Sequence, residues 1–257
     1  MKDTVLLEEL SWPEVQEALN AGVRTVVIVV ASIEQHGPHL PTMTDTAIGY
    51  AVGERVARKL GRALLAPVIR PGCSDHHLAF PGSLSIPRET LIETVLAYVR
   101  SLAPYGFRGF VLFSSHGGNF DALEDAARRL RDEFTPKNVR IAAYAGRAAL
   151  LEMMQVMNAA AESLGARQDV DALHAELTET SVMMARHPAL VAKDRLEQGR
   201  MGRIDADDLF RRGLKAITPN GILGDARAAT PEIGAAVLER LSDHLVAFAR
   251  RELSGDR

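Results

Sequence analysis

Residues 25–31 read Thr25-Val26-Val27-Ile28-Val29-Val30-Ala31, a run with no polar position after its first residue. A strand with one face in water alternates apolar and polar side chains, so a run this solid has to be covered on both faces. Similar runs recur at 63–69, where Pro67 interrupts, at 109–114 and at 139–145. Between them the apolar rhythm changes. Ile48, Val52, Val56 and Leu60 predict a helix over 46–60, ended by Gly61. Pro87-Arg88-Glu89-Thr90 opens another that runs to about Leu102. Leu123, Ala126, Ala127 and Leu130 give the inner face of a third over about 121–134. Ahead of the first strand, Ser11-Trp12-Pro13-Glu14 carries the marks of a helix start. Short connections and strict alternation predict an α/β fold with a central, mainly parallel sheet flanked by helices.

The second half is more helical. A Met- and Ala-rich helix is expected over 148–161, a shorter one near 182–186 and a final one from Thr230 to about Arg251. Between the first two lies the polar segment 169–181. Residues 193–215 are charged and weakly periodic, and read as a surface excursion. No repeat or low-complexity stretch forces a boundary, so residues 1–257 are expected to form one domain. A net charge of −3 without a basic stripe argues against nucleic acid and anionic membranes as partners. The single cysteine, Cys73, excludes an internal disulfide and fits a reducing compartment. No apolar run approaches the roughly 20 residues of a membrane span, and no signal-type segment opens the chain. A cytoplasmic protein is expected.

Chemistry gathers where the apolar runs end. Glu34 and His36 follow the first run two residues apart, so in extended backbone both could face one point. A loop with Pro38 and Pro41 leads to Asp45, just ahead of the expected 46–60 helix. His116 follows the third run, and His174 and Glu179 lie in the 169–181 segment. Open α/β sheets keep their sites at the carboxyl ends of their strands. Mixed imidazole and carboxylate suits Zn²⁺, Mn²⁺ or Fe²⁺ rather than Ca²⁺. The set suffices for two divalent metal ions, with Asp45 between them. Water held between two such ions becomes a nucleophile near neutral pH. His174 is then free to move protons as the catalytic residue.

Each piece also has a plainer reading. An E-x-H triplet alone has little specificity. Ser115-His116-Gly117-Gly118-Asn119 before a helix could hold phosphate on its backbone N–H groups, which would make the chain a phosphate- or nucleotide-binding module. That loop lacks a Lys or Arg to neutralise the anion. His76 and His77 could serve loop carbonyls, and His187 a helix end. His39 and His244 read as structural or exposed. Met153, Met154 and Met157 suit a core or an oligomer contact. Cys73 reads as an idle thiol.

Five motifs, in order, resemble the creatininase (creatinine amidohydrolase) family. They are Ile33-Glu34-Gln35-His36-Gly37-Pro38-His39-Leu40-Pro41 through Asp45, then Gly72-Cys73-Ser74-Asp75-His76-His77 with Phe80-Pro81-Gly82. His116-Gly117-Gly118-Asn119 follows, then His174-Ala175 with Glu179-Thr180-Ser181, and finally residues 221–230. The resemblance implies a three-layer α/β/α fold and two divalent metal ions. It implies Glu34, Asp45 and His116 around one ion and His36, Asp45 and Glu179 around the other. It also implies His174 as the proton-transfer residue, and Ser74 and His77 on the substrate side. The partners implied are a small-molecule substrate and further copies of the chain, as a hexamer, trimer or dimer. The activity implied is hydrolysis of an amide or cyclic amide C–N bond, other than a peptide bond. The second choice is a ring ketone or ester derived from a polyol. Three departures weigh against creatinine itself. Gly118 stands where creatininase proper has a glutamate, Ser114-Ser115 where Asn-Gly is usual, and Glu176 where a glycine follows His-Ala.

Overall fold

The computed structural model describes residues 2–168 and 173–254, so the first four residues of the 169–181 segment lie outside it. Helix α1 (Trp12–Asn20) starts as its sequence indicates. Glu14 reaches back to the Ser11 N–H at 2.7 Å and completes a capping box. Then follow β1 (Thr25–Val30), α2 (Thr44–Leu60), β2 (Ala63–Leu65), α3 (Arg88–Leu102), β3 (Gly109–Ser114), α4 (Phe120–Phe134) and β4 (Arg140–Tyr144). After the sheet come α5 (Gly146–Glu162), α6 (Leu177–Arg186), α7 (Ala206–Arg212), α8 (Leu214–Ile217) and α9 (Pro231–Ser254).

The sheet order is β2-β1-β3-β4 and every pairing is parallel. Chain order reverses at β1, which pairs with β2 on one side and β3 on the other. That reversal opens a crevice at the carboxyl ends of β1 and β3. Alternate side chains of each strand enter opposite layers. Val27, Val29, Val111 and Phe113 pack with α2, α5, α6 and α9. Val26, Ile28, Phe110 and Leu112 pack with α1, α3 and α4. Val26 through Val30 are wholly inaccessible, which is why the first apolar run never alternates.

Four elements differ from the sequence expectation. Strand β2 stops at Leu65, since Pro67 has no N–H for the ladder, and the chain pairs again only at Ile69. Helix α2 begins at Thr44, so Asp45 lies in its first turn rather than in the preceding loop. Helix α6 begins at Leu177, which puts Glu179 in a first turn too. The 193–215 excursion contains α7 and part of α8, and its Phe210 ring lies 4.7 Å from that of His76.

Candidate metal centre

Glu34 and His36 leave β1 and are completely buried. Asp45 comes from α2, His116 from the exit of β3 and Glu179 from α6. The structure therefore brings together all five residues expected to bind metal. Glu34 Oε1 lies 3.2 Å from His116 Nδ1, and Asp45 Oδ2 lies 3.4 Å from the same nitrogen. His36 Nε2 lies 3.2 Å from Asp45 Oδ1 and 3.7 Å from Glu179 Oε2. Donor atoms of Glu34, Asp45 and His116 fall within 4.8 Å of one another, as do those of His36, Asp45 and Glu179. Asp45 belongs to both trios, with one oxygen toward each histidine. A third such trio, Glu34, His36 and His174, overlaps them.

The outer nitrogens of His36 and His116 decide their tautomers. His36 Nδ1 sits 3.1 Å from the Glu34 carbonyl and His116 Nε2 sits 3.0 Å from the Cys73 carbonyl. A carbonyl only accepts, so those nitrogens carry the protons and donate. The opposite nitrogens then present lone pairs to two carboxylate oxygens each. Lone pair against carboxylate is repulsive unless a cation or an extra proton lies between them. Without a metal ion the proton is what remains: burial opposes it, but Asp45 raises the His36 pKa to about 10. For His116, burial is likewise overcome by Glu34, and the pKa rises to about 9. Burial would raise Glu34, yet His116 and His77 hold it well below the ordinary value. Burial pushes Glu179 up to about 8 against the pull of His36.

The residues fit divalent ions on two grounds. Two ligands about 2.0–2.2 Å from one ion stand roughly 3.0–3.4 Å apart at ordinary coordination angles, which is how far the Glu34 and Asp45 oxygens lie from His116 Nδ1. Moreover, Glu34 Oε1, His36 Nε2 and Asp45 Oδ2 are buried without a hydrogen-bond partner. Buried polar atoms are almost always satisfied, and a cation would satisfy all three.

His174 lies beside this cluster, its Nδ1 3.8 Å from Glu34 Oε1. Burial, with His36 and His77 nearby, pushes its pKa well below the ordinary imidazole value. His77 Nε2 lies 3.2 Å from Glu34 Oε1, and burial lowers its pKa to about 2. Ser74 is fully buried, and its hydroxyl meets Ser32 Oγ at 2.5 Å and His116 Nε2 at 3.3 Å. It stands behind His116, on the side away from Glu34 and Asp45.

Sequence reasoning missed Gln35. Its Oε1 accepts from the Gly37 N–H at 2.9 Å, which fixes the amide orientation. Its Nε2 lies 3.2 Å from His77 Nδ1, 2.9 Å from His174 Nε2 and 3.3 Å from the Gly221 carbonyl. A Cβ on Gly221 would come within 2.1 Å of Gln35 Oε1, and only the glycine-rich turn at 221 hinted at that approach. His174 Nε2 also lies 2.9 Å from the Gln35 carbonyl. The carbonyl calls for a proton on Nε2 and the amide N–H for a lone pair there, so Gln35 holds the ring in place through both contacts without selecting one tautomer.

Three other expectations are settled by packing. Glu176 is buried outside the ligand set and caps α6, accepting from the N–H groups of Thr178 and Glu179. The polar side chains of the 115–119 turn are turned to protein, although Gly117 is exposed. Asn119 bonds Cys73 N and the Ala31 carbonyl, Ser115 bonds the Asp45 carbonyl, and a Cβ at Gly118 would lie 2.3 Å from the Cys73 carbonyl. His39 is buried and bonded to Thr180 at 2.8 Å.

A doubly wound sheet with imidazole and carboxylate side chains gathered at its switch point defines the class: an α/β scaffold with a candidate metal centre. The chain belongs to the creatininase family, whose creatinine amidohydrolase model matches residues 8–249. A mycofactocin precursor peptide peptidase from Mycobacterium ulcerans (strain Agy99) is 35% identical over 241 residues, 90% of this chain and 86% of the relative. A creatinine amidohydrolase from Pseudomonas putida is 29% identical over 93% of this chain and 94% of its own length. Among solved structures, a Zn–Zn form of a glutamate-to-glutamine mutant creatininase superposes with a TM-score of 0.81 at 27% identity, covering 98% of this chain and 99% of that one. A manganese creatininase gives 0.80 at 28% identity with the same coverage. The chain is thus a hydrolase of this family with the family's parallel, helix-flanked sheet.

Proposed function

We propose that this chain hydrolyses an amide C–N bond with two divalent ions, one held by Glu34, Asp45 and His116 and the other by His36, Asp45 and Glu179. Zinc or manganese is the natural choice, as both appear in the related structures. One observation carries the reading: His36 and His116 each donate to a backbone carbonyl and aim the free nitrogen at two buried carboxylates. When bound, such ions lower the pKa of water and polarise a carbonyl oxygen.

The chain's own residues supply the rest. His174 offers a neutral imidazole beside the cluster and can take a proton from an attacking group, then return it to the leaving nitrogen. Gln35 holds that ring in place. Ser74 steadies His116, and outer partners of this kind typically tune affinity or activity by about 10–100-fold. His77, with Nδ1 accepting from Gln35, keeps its Nε2–H toward Glu34 and the substrate side.

The scissile bond belongs to the amide class on two sides of the family, a precursor-peptide peptidase and a creatinine amidohydrolase. A linear peptide amide therefore stands beside a cyclic amide as substrate. Gly118 cannot be a glutamate here without moving the Cys73 backbone, which separates this centre from that of creatininase proper. The reading includes a homo-oligomer working in the cytoplasm. Among the described residues no helix is long and apolar enough to cross a membrane.

Metal analysis of protein purified without chelator is the test, joined to assays on short peptides, lactams, formamides and a polyol-derived cyclic ketone. The expected result is between one and two transition ions per chain, turnover within the amide group, and loss of both in Asp45→Ala. Full metal content and unchanged turnover in Asp45→Ala would refute it.

A further inference from the structure

Beside the ligand cluster lies a cavity of about 70 Å³ between the sheet and α5. Its floor is Ile48, Val52, Phe113 and Phe120, and Met153 and Met157 close it from α5. All six are at least nine-tenths buried. Ser115, His116 and Glu179 form its polar rim, so the cavity shares a wall with both proposed ion sites. None of the floor side chains offers a hydrogen bond, so water on the floor would lack protein partners there. A void of this size also forfeits packing energy in the core that surrounds it. Met153 and Met157, one turn apart on α5, are unbranched and polarisable, and adapt to whatever enters.

We propose that this cavity is the specificity pocket for an uncharged aliphatic group of the substrate, on the acyl or side-chain part next to the scissile amide. The inference rests on the reading of the centre as a metal-dependent amide hydrolase and adds the substrate's chemical class. A small branched chain fits: it needs several heavy atoms of room, no polar partner, and a junction beside His116 and Glu179 where an amide can reach the ions. A charged group is excluded, because its desolvation would have no compensation on this floor.

The test uses zinc-loaded wild-type protein and a graded series of hydroxamates: acetohydroxamate, propionohydroxamate, isobutyrohydroxamate and isovalerohydroxamate. The hydroxamate head binds the metal and the tail reports on the cavity. Calorimetric titration should show affinity rising about fourfold per buried methylene along the series, and no gain for the tail of succinomonohydroxamate. Met157→Phe, or Leu150→Phe at the half-buried edge of the same pocket, should flatten the series while leaving acetohydroxamate affinity within about twofold. The Leu150 variant serves if the Met157 variant does not fold. A flat series in wild-type protein with acetohydroxamate still bound would overturn the pocket and leave the metal centre standing. Absence of acetohydroxamate binding in zinc-loaded protein would instead count against the centre. A graded series that persists in both filled variants would place the tail elsewhere and overturn the proposal.

Discussion

Gln35 sits between two proposed ligands in sequence and between two histidines in space. Its amide and carbonyl fix both His77 and His174 without touching the proposed ion sites. Gln35→Ala is expected to leave metal content near wild type and to lower kcat by about 10–100-fold, in the manner of outer-shell partners. The acid limb of the rate profile should move as well, because His174 would lose the side-chain amide that lies 2.9 Å from its Nε2. Equal kcat and an unmoved profile would show Gln35 to be a spacer only. The ligand atoms carry a second residue-scale expectation. His36 and His116 hold extra protons in the absence of metal, up to about 10 and about 9, and the Glu179 carboxyl up to about 8. Metal must displace those protons, so uptake should release protons and tighten as pH rises from 7 toward 9. Zinc titrations in buffers of different ionisation enthalpy would read the release directly. Pairs such as Glu34 and His36 were legible in the sequence because ligand types stood at a strand exit. Gln35 was not, since an amide beside a ligand has no pattern of its own.

Elements place those residues, and here the sequence was legible unevenly. The strands announced themselves because both sheet faces are buried, which leaves a solid apolar run. The starts of α2 and α6 did not. Met43 at the start of α2 makes no side-chain cap, and Glu176 caps α6 although glutamate is an unusual cap. Both hidden starts carry a proposed ligand in their first turn, so the sequence pointed to the candidate residues but not to why they converge. The Glu176 cap is also tied to Gln168, and Glu179 Oε2 accepts from the Ala175 N–H at 2.6 Å, where Ala175 adopts φ 54°. Glu176→Ala would strip the cap from buried N–H groups, at a cost of about 1–3 kcal/mol. For a chain of this length that lowers Tm by roughly 2–4 °C per kcal/mol. It should also loosen metal at the His36, Asp45 and Glu179 site before the other. Gly118→Ala tests a second element junction, the packing of the β3 exit on the 73–76 loop. Its Cβ would lie 2.3 Å from the Cys73 carbonyl, so a loss of about 1–3 kcal/mol is expected. Chemical denaturation of both variants measures these costs.

The whole molecule joins a switch-point crevice to a cluster of charge that folding has buried. Its metal-free stability should therefore be acid-sensitive above the carboxylate range. Burial lowers His39 and His76 to about 4, His77 to about 2 and His174 well below its ordinary value. Below about pH 6.5 the unfolded chain takes up protons at these four that the folded chain refuses, which favours unfolding. Each such proton is worth about 1.4 kcal/mol per pH unit. His36 and His116 are protonated in both states there and contribute no slope. Glu176 and Glu179, raised by burial, hold protons in the folded state and oppose the trend without cancelling it. Stability without metal should thus fall from pH 6.5 to 4.5, as read by urea midpoints. A flat or rising profile would mean the histidines are open to water.

The central claim is that two cations complete this cluster. Anomalous diffraction from crystals of the manganese- or zinc-loaded protein tests it most directly. Two peaks are expected, one among Glu34, Asp45 and His116 and one among His36, Asp45 and Glu179, with Asp45 touching both. No peak within the cluster, or metal bound only elsewhere on the chain, would contradict it.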